Sequence, residues 1–196
     1  SEILVSSRSF INSVSEKTDN KKITYMPQWS EEIFTKNSKS NFIYEPMEKI
    51  EGFKILFAGN VGVAQDFDTL INAMNKIKDF NIHLVVLGEG RAKKDALKKV
   101  KKYDLENSIS FLGSFPLEAM PYFFNQSDAL LISLKKSEIF SKTIPSKTQP
   151  YMSSGKPILT NADGEVSQII NEAKCGLTSD SGDYIALSKN MIKLSK

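Results

Sequence analysis

Phe53-Lys-Ile-Leu-Phe-Ala-Gly-Asn-Val-Gly62 decides the fold. Its first six residues form a short apolar run that reads as a buried strand, and two glycines follow at once. Phe67, Leu70, Ile71, Met74 and Ile77 then recur at helical spacing. Asn81-Ile-His-Leu-Val-Val-Leu87 is a second strand, ended by Gly88-Glu-Gly90. Strands alternating with helices at this spacing give an α/β fold with a parallel sheet covered on both faces. The near-continuous hydrophobicity of residues 82–87 agrees, because parallel strands are buried on both sides.

The pattern continues toward the C-terminus. Residues 91–103 predict a basic helix with Ala96, Leu97, Val100 and Tyr103 on one face. Strands follow at 108–112, 129–133 and 157–160, with a further short one near Gly176-Leu-Thr178. Helices are expected around 118–125, after Pro145-Ser-Lys147 up to Gly155, at 165–173 and at 183–195. Residues 1–50 differ. Ile3-Leu-Val5 reads as a strand, and Ser6 or Ser7 caps a helix through about Glu16. Met26-Pro-Gln-Trp29 and the polar stretch Lys36–Asn41 read as a connector. The expected division is 1–23, 24–50 and 51–196.

Bulk properties narrow the function. The 196 residues suffice for one ordinary domain, and 40% hydrophobic with 25% charged is a usual soluble composition. A net charge of +3 gives no reason to expect nucleic acid. One cysteine, Cys175, excludes an internal disulfide and fits a reducing compartment. One histidine beside it leaves no His/Cys metal cluster, so no metal is expected. No run approaches the ~20 apolar residues that span a bilayer. The start Ser-Glu-Ile, without a signal-peptide pattern, reads as a piece of a longer cytoplasmic protein.

On such sheets ligands bind beyond the C-terminal strand ends. The loops there contain Gly59–Gly62, Gly88–Gly90, Gly113–Phe115, Ser137–Lys147 and Asp163–Glu165. Glycine lets backbone approach a phosphate or sugar, although a tight turn without ligand explains Gly59 and Gly62 equally. Gly88-Glu-Gly90 is a weak dinucleotide pattern, because Lys93 stands where a third glycine belongs. Lys147 carries more. A cation at the positive end of a helix is unfavourable unless an anion such as phosphate joins it. Glu138 and Lys142 suit hydroxyls and phosphate, and a solvated loop suits them too. Glu165, after Gly164, is stabilising in a first helical turn by itself. His83 reads as structural, Cys175 as a small helix-end residue, and Trp29 as packing between domains or partly buried. The seven cations of 91–102 read as a solvated face, with an anionic membrane surface as the alternative.

In order, Met26-Pro-Gln-Trp29, Phe57-Ala-Gly-Asn-Val-Gly-Val-Ala-Gln65, Val86-Leu-Gly-Glu-Gly90, Phe111-Leu-Gly113 and Ser127-Asp-Ala129 form a recognisable series. Pro145-Ser-Lys-Thr-Gln-Pro-Tyr-Met-Ser-Ser-Gly-Lys-Pro157 and Asp163-Gly-Glu165 complete it. The series resembles the C-terminal half of retaining glycosyltransferases of GT-B architecture, in the group-one (family-four) class. Within that class it resembles bacterial surface-polysaccharide enzymes of the N-acetyl-L-fucosamine transferase type. The resemblance implies a Rossmann-like donor domain at 51–196, a connector at 24–50 and the tail of an acceptor domain at 1–23. It implies that Gly59, Asn60 and Gly62, with Gln65 and Gly88, lie against the diphosphate and sugar. It further implies that Gly113, Ser114 and Phe115 hold the base.

By the same resemblance Lys147, with Ser146 and Lys142, neutralises the leaving diphosphate, and Gly164 and Glu165 serve the sugar. No cofactor or metal is implied. The partners implied are a UDP-sugar donor, a lipid-linked polyprenyl acceptor, the chain's own N-terminal domain and peripheral contact with the inner membrane. Such an enzyme builds lipopolysaccharide O-antigen, capsule or a related surface polysaccharide. The pattern also departs from the family's. Counting back from Gly155 puts Pro150 and Lys142 where the family has two glutamates, and Glu138 or Glu165 are the carboxylates left to replace them. Val63-Ala64-Gln65 replaces the usual Arg and Lys. A non-catalytic nucleotide-binding module and a UDP-sugar 2-epimerase are the alternative readings, the latter disfavoured by the single histidine.

Overall fold

Two short strands, β1 (Ile3–Val5) and β2 (Ile23–Tyr25), pair in parallel beside α1 (Phe10–Ser15) in the computed structural model, which describes residues 2–18, 22–35 and 42–196. The N-terminal unit therefore runs through Tyr25, past the boundary expected at residue 23. The expected polar connector stretch Lys36–Asn41 lies outside the described residues. A short helix, α2 (Glu45–Glu48), begins around Pro46, whose fixed φ suits a first helical turn.

The main sheet then builds from β3 (Phe53–Ala58), α3 (Phe67–Lys76), β4 (Ile82–Leu87), α4 (Lys93–Lys102) and β5 (Ile109–Gly113). A second half follows with α5 (Met120–Asn125), β6 (Ala129–Ser133), α6 (Glu138–Ser141), α7 (Thr148–Ser153), β7 (Ile158–Asn161), α8 (Glu165–Glu172), β8 (Gly176–Ser179) and α9 (Tyr184–Leu194). All six main strands run parallel in the order β5-β4-β3-β6-β7-β8. The chain builds outward from β3 in one direction, returns to β3's other side, and builds outward again. The reversal lies between β3 and β6.

Successive strand residues point to opposite faces, so each strand feeds two cores. Ile55, Phe57, Leu84, Val86, Leu131 and Leu159 pack under α3, α4 and α9. Leu56, Val85, Leu87, Leu130, Ile132 and Ile158 pack against α5, α7 and α8. Each such side chain contributes about 1.5–3 kcal/mol by leaving water. The connector joins the second core through Phe34 and Met47, with the Phe34 ring 5.6 Å from that of Phe124. Trp29 does not join it and stays 75% exposed.

His83 is structural. Burial lowers its pKa, and Nε2 lies 2.9 Å from Ser110 Oγ. Cys175 is half-buried ahead of β8, with its thiol pushed up by burial. Among the described residues no helix is long and apolar enough to cross a membrane.

Candidate functional site

The reversal between β3 and β6 opens a crevice at the carboxyl ends of the strands, where such sheets hold ligands. A cleft of about 1240 Å³ occupies it. Its floor is the strand ends themselves: Ala58, Gly59 and Asn60 after β3, Leu87 to Glu89 after β4, Ser114 and Phe115 after β5, and Leu134 after β6. One wall comes from α6 and the Pro145-Ser146-Lys147 turn. The rim comes from Phe10 and from Gln28, Trp29 and Glu31 of the connector.

The floor depends on two close approaches. Gly88, at φ +134°, lies where a Cβ would sit 1.9 Å from the Gly59 carbonyl oxygen. Gly59, at φ +143°, lies where a Cβ would sit 2.7 Å from Lys147 Nζ. Any side chain at either position would push the turns apart or expel the lysine. The stacked turns are tied by Gly59 N donating to Leu87 O at 2.9 Å and Val61 N donating to Glu89 O at 2.8 Å. The Lys135 amide donates across the reversal to Ala64 O at 2.8 Å. Beneath them the buried Tyr151 hydroxyl accepts from Ala58 N at 2.9 Å.

Lys147 is the N-cap residue of α7, just outside the first turn expected of it. Its stem is half-buried, and its ammonium reaches the cleft floor, 3.7 Å from the centre of the Phe57 ring. Among the described residues no carboxylate pairs with it. Desolvation pushes its pKa from 10.5 down to about 7. The ring face offsets part of that cost. The ammonium is therefore held where charge is expensive and an anion is welcome.

Eight of the expected residues line the cleft: Gly59, Asn60, Gln65, Gly88, Ser114, Phe115, Ser146 and Lys147. Gly62 stands behind them and donates its N–H to Gln65 Oε1 at 3.1 Å, closing the turn. Gly113 ends β5 at φ +86°, one residue behind the lining. The others fall elsewhere. The 137–147 stretch, expected as an irregular loop, contains α6, whose one turn pairs Lys142 with Glu138 at 2.7 Å. Lys142 Nζ also donates to Ser13 Oγ at 2.9 Å. Glu138 is 85% exposed, held below its usual pKa by Lys142, and neither residue lines the cleft.

Glu165, expected at the sugar, is buried against the N-terminal unit instead. It accepts from Ser7 Oγ at 2.5 Å and from the Arg8 and Ser9 amides at 2.7 Å each. Desolvation raises its pKa, but these bonds outweigh that and hold it below the usual carboxylate range. Gly164 is likewise outside the lining.

Sequence reasoning missed Tyr151, although its spacing of four from Lys147 places both on one helix face. It also missed Glu89 and Glu31, the two carboxylate residues among the lining. Glu89 pairs with Lys93 at 2.5 Å. Among the described residues no group of three His, Cys, Asp or Glu is placed to hold a metal ion.

A profile of the family described as "Glycosyl transferases group 1" matches residues 41–196. The probable glycosyltransferase WbjE of Pseudomonas aeruginosa is 28% identical over 138 residues, covering 68% of this chain and 33% of WbjE. WaaG, a glycosyltransferase involved in lipopolysaccharide biosynthesis, superposes with a TM-score of 0.80 at 15% identity. The match covers 98% of this chain and 53% of WaaG. Alr3699/HepE of Anabaena, solved in complex with UDP-glucose, gives a TM-score of 0.80 at 14% identity, again over 98% and 53%. The chain thus spans about a third of that curated relative and about half of those solved structures.

Proposed function

Because the chain belongs to the group 1 glycosyl transferases, we propose that its cleft binds the diphosphate of a nucleotide-sugar donor, with Lys147 as the principal cation. The observation that carries this is the Lys147 ammonium, desolvated to a pKa of about 7 and lodged against Gly59 without a carboxylate partner among the described residues. A diphosphate supplies the missing charge. As the bond from sugar to diphosphate breaks, negative charge grows on the leaving group, and a preorganised cation stabilises it more than it stabilises the ground state. Asn60, Gly59, Gln65 and Ser146 surround that position. Ser114 and Phe115 take the base, and Glu89 and Glu31 are the cleft carboxylates available to sugar or ribose hydroxyls.

The nucleotide proposed is uridine diphosphate. Support comes from the relatives solved with UDP or UDP-glucose. The transfer proposed is retaining, metal-independent and directed to a lipid-linked saccharide of a bacterial surface polysaccharide, of the N-acetyl-L-fucosamine transferase type. Residues 1–25 would belong to an acceptor-binding half that completes the enzyme at the inner face of the membrane.

Calorimetric titration of the chain with UDP, UDP-sugars and GDP-sugars tests this. Binding of UDP-sugar in preference to GDP-sugar is expected, and no nucleotide binding at about millimolar concentration, ~4 kcal/mol, would sink the proposal. A second reading, a nucleotide-binding module without catalysis, is favoured by Lys142 and Pro150 standing where the family has carboxylates. Sugar transfer by the full-length protein, lost on Lys147→Ala, decides against it.

A further inference from the structure

The N-terminal unit meets the main domain in a seam unlike either core. No described residue of β1, α1 or β2 belongs to the two apolar clusters. The turn after β1 wraps Ser7, Arg8 and Ser9 around one carboxylate, that of Glu165. Ser7 is fully buried and Glu165 is 6% exposed. The two amides open α1, so α8 supplies the carboxylate that satisfies the exposed donors of another helix. The Ser7 hydroxyl also reaches the carbonyl of Lys142, and the Lys142 ammonium reaches Ser13.

Glu165 is held in place by its neighbour. Gly164, at φ +76°, presses on α6 so closely that a Cβ would sit 2.0 Å from the Ser141 carbonyl oxygen. The carboxylate, the end of α6 and the segment leading to Lys147 are therefore one contiguous structure. Across it sits the unit that supplies Phe10, and behind that the connector residues Gln28 and Trp29, all on the cleft.

We propose that Glu165 is a positioning residue: it seats the N-terminal unit against α6 and so sets the opening of the cleft above Lys147, without touching the donor. The inference rests on the reading of the cleft as a sugar-transfer site. A polar seam can part without exposing a hydrophobic core, whereas its buried charge-assisted bonds make it specific when closed. Glu165 thus couples the placement of the acceptor side to the turn that carries the phosphate cation.

The test compares Glu165→Ala and Ser7→Ala with the parent. In the 196-residue chain, amide exchange at Arg8 and Ser9 should speed up about tenfold or more in Glu165→Ala, while β3 and β4 amides keep their protection. UDP and UDP-sugar affinities should stay within about twofold, since no ligand contact is removed. In the full-length enzyme kcat should fall about tenfold or more with donor KM little changed, as misplacement of reacting groups demands. Ser7→Ala should move kcat the same way, and the double variant should be no worse than Glu165→Ala alone.

Three results would overturn the inference. Weakened UDP-sugar binding with intact UDP binding would make Glu165 a sugar ligand. Lost protection across β3 and β4 would make it a residue of general stability. Faster exchange with unaltered kcat would make the seam irrelevant to transfer. If the parent enzyme transfers no sugar, the functional reading fails first. The exchange data and Trp29 emission then still report whether Glu165 seats the unit, and an unchanged Trp29 environment in Glu165→Ala would reject it.

Discussion

The two sides of the cleft are built differently. On the sheet side, Gly59, Gly88, Ala58 and Tyr151 are fixed by backbone hydrogen bonds and by contacts too close for any Cβ. On the N-terminal side, Trp29 is 75% exposed and its segment is joined through a carboxylate and a few polar groups. The sheet side is preformed and the other side is adjustable. A chain that must grip a diphosphate tightly yet admit a second substrate has reason to divide the work this way.

The contrast is most exposed to Lys147→Met. In the full-length enzyme it should cost about 10²–10³-fold in transfer, while the ligand-free chain becomes more stable by on the order of a few kcal/mol. The sign follows from the lowered pKa. The folded state pays the whole cost of the buried cation below pH 7. That cost fades as pH rises toward the unfolded value of 10.5, so the gain in melting temperature should be largest in acid and vanish in alkali. A fall in melting temperature at neutral pH would mean that the lysine supports the fold, and the preformed-site argument would break.

A gentler probe is the pH dependence of UDP-sugar affinity, because a nucleotide sugar's diphosphate has no ionisation of its own near neutrality. Affinity should hold below pH 7 and weaken above it, by up to about tenfold per unit. Lys147→Arg should flatten the profile, since guanidinium stays charged throughout. Calorimetry from pH 6 to about pH 9 measures both, spanning the titration expected of Lys147.

Smaller still is Tyr151→Phe, which leaves the Ala58 amide without its hydroxyl acceptor. A loss of about 1–2 kcal/mol in urea unfolding, with only a few-fold loss in UDP affinity, is expected. Least of all should come from Glu138→Ala. Its partnership with Lys142 is exposed, and such pairs are worth about 0.2–1 kcal/mol. Unchanged nucleotide affinity there would support its placement off the sheet side of the cleft, and a large loss would refute that placement.

The strands were legible because burial on both faces leaves a continuous apolar run; 53–58 and 129–133 lie where the sequence puts them. α6 was not legible, since four residues carry no period to read. Lys147 could be picked out because its charge conflicts with a helix start, but the conflict names an anion and not the Gly59 and Phe57 surroundings that desolvate it. Glu165 shows the limit most clearly. Its place in a first helical turn was evident, yet its partners lie some 156–158 residues away in sequence. Local pattern cannot report a bond of that span.

The return of α9 onto α3 has a consequence for how the molecule is made. Leu187 and Met191 are fully buried in the same cluster as Leu70 and Ile71. That core is begun by the first half of the sheet and is closed only by a helix that emerges more than a hundred residues later. During synthesis α3 must wait with its apolar face uncovered, and contacts of such long range form slowly. The vulnerable interval for aggregation is therefore the passage of the second half of the sheet through the ribosome, before residues 184–194 arrive.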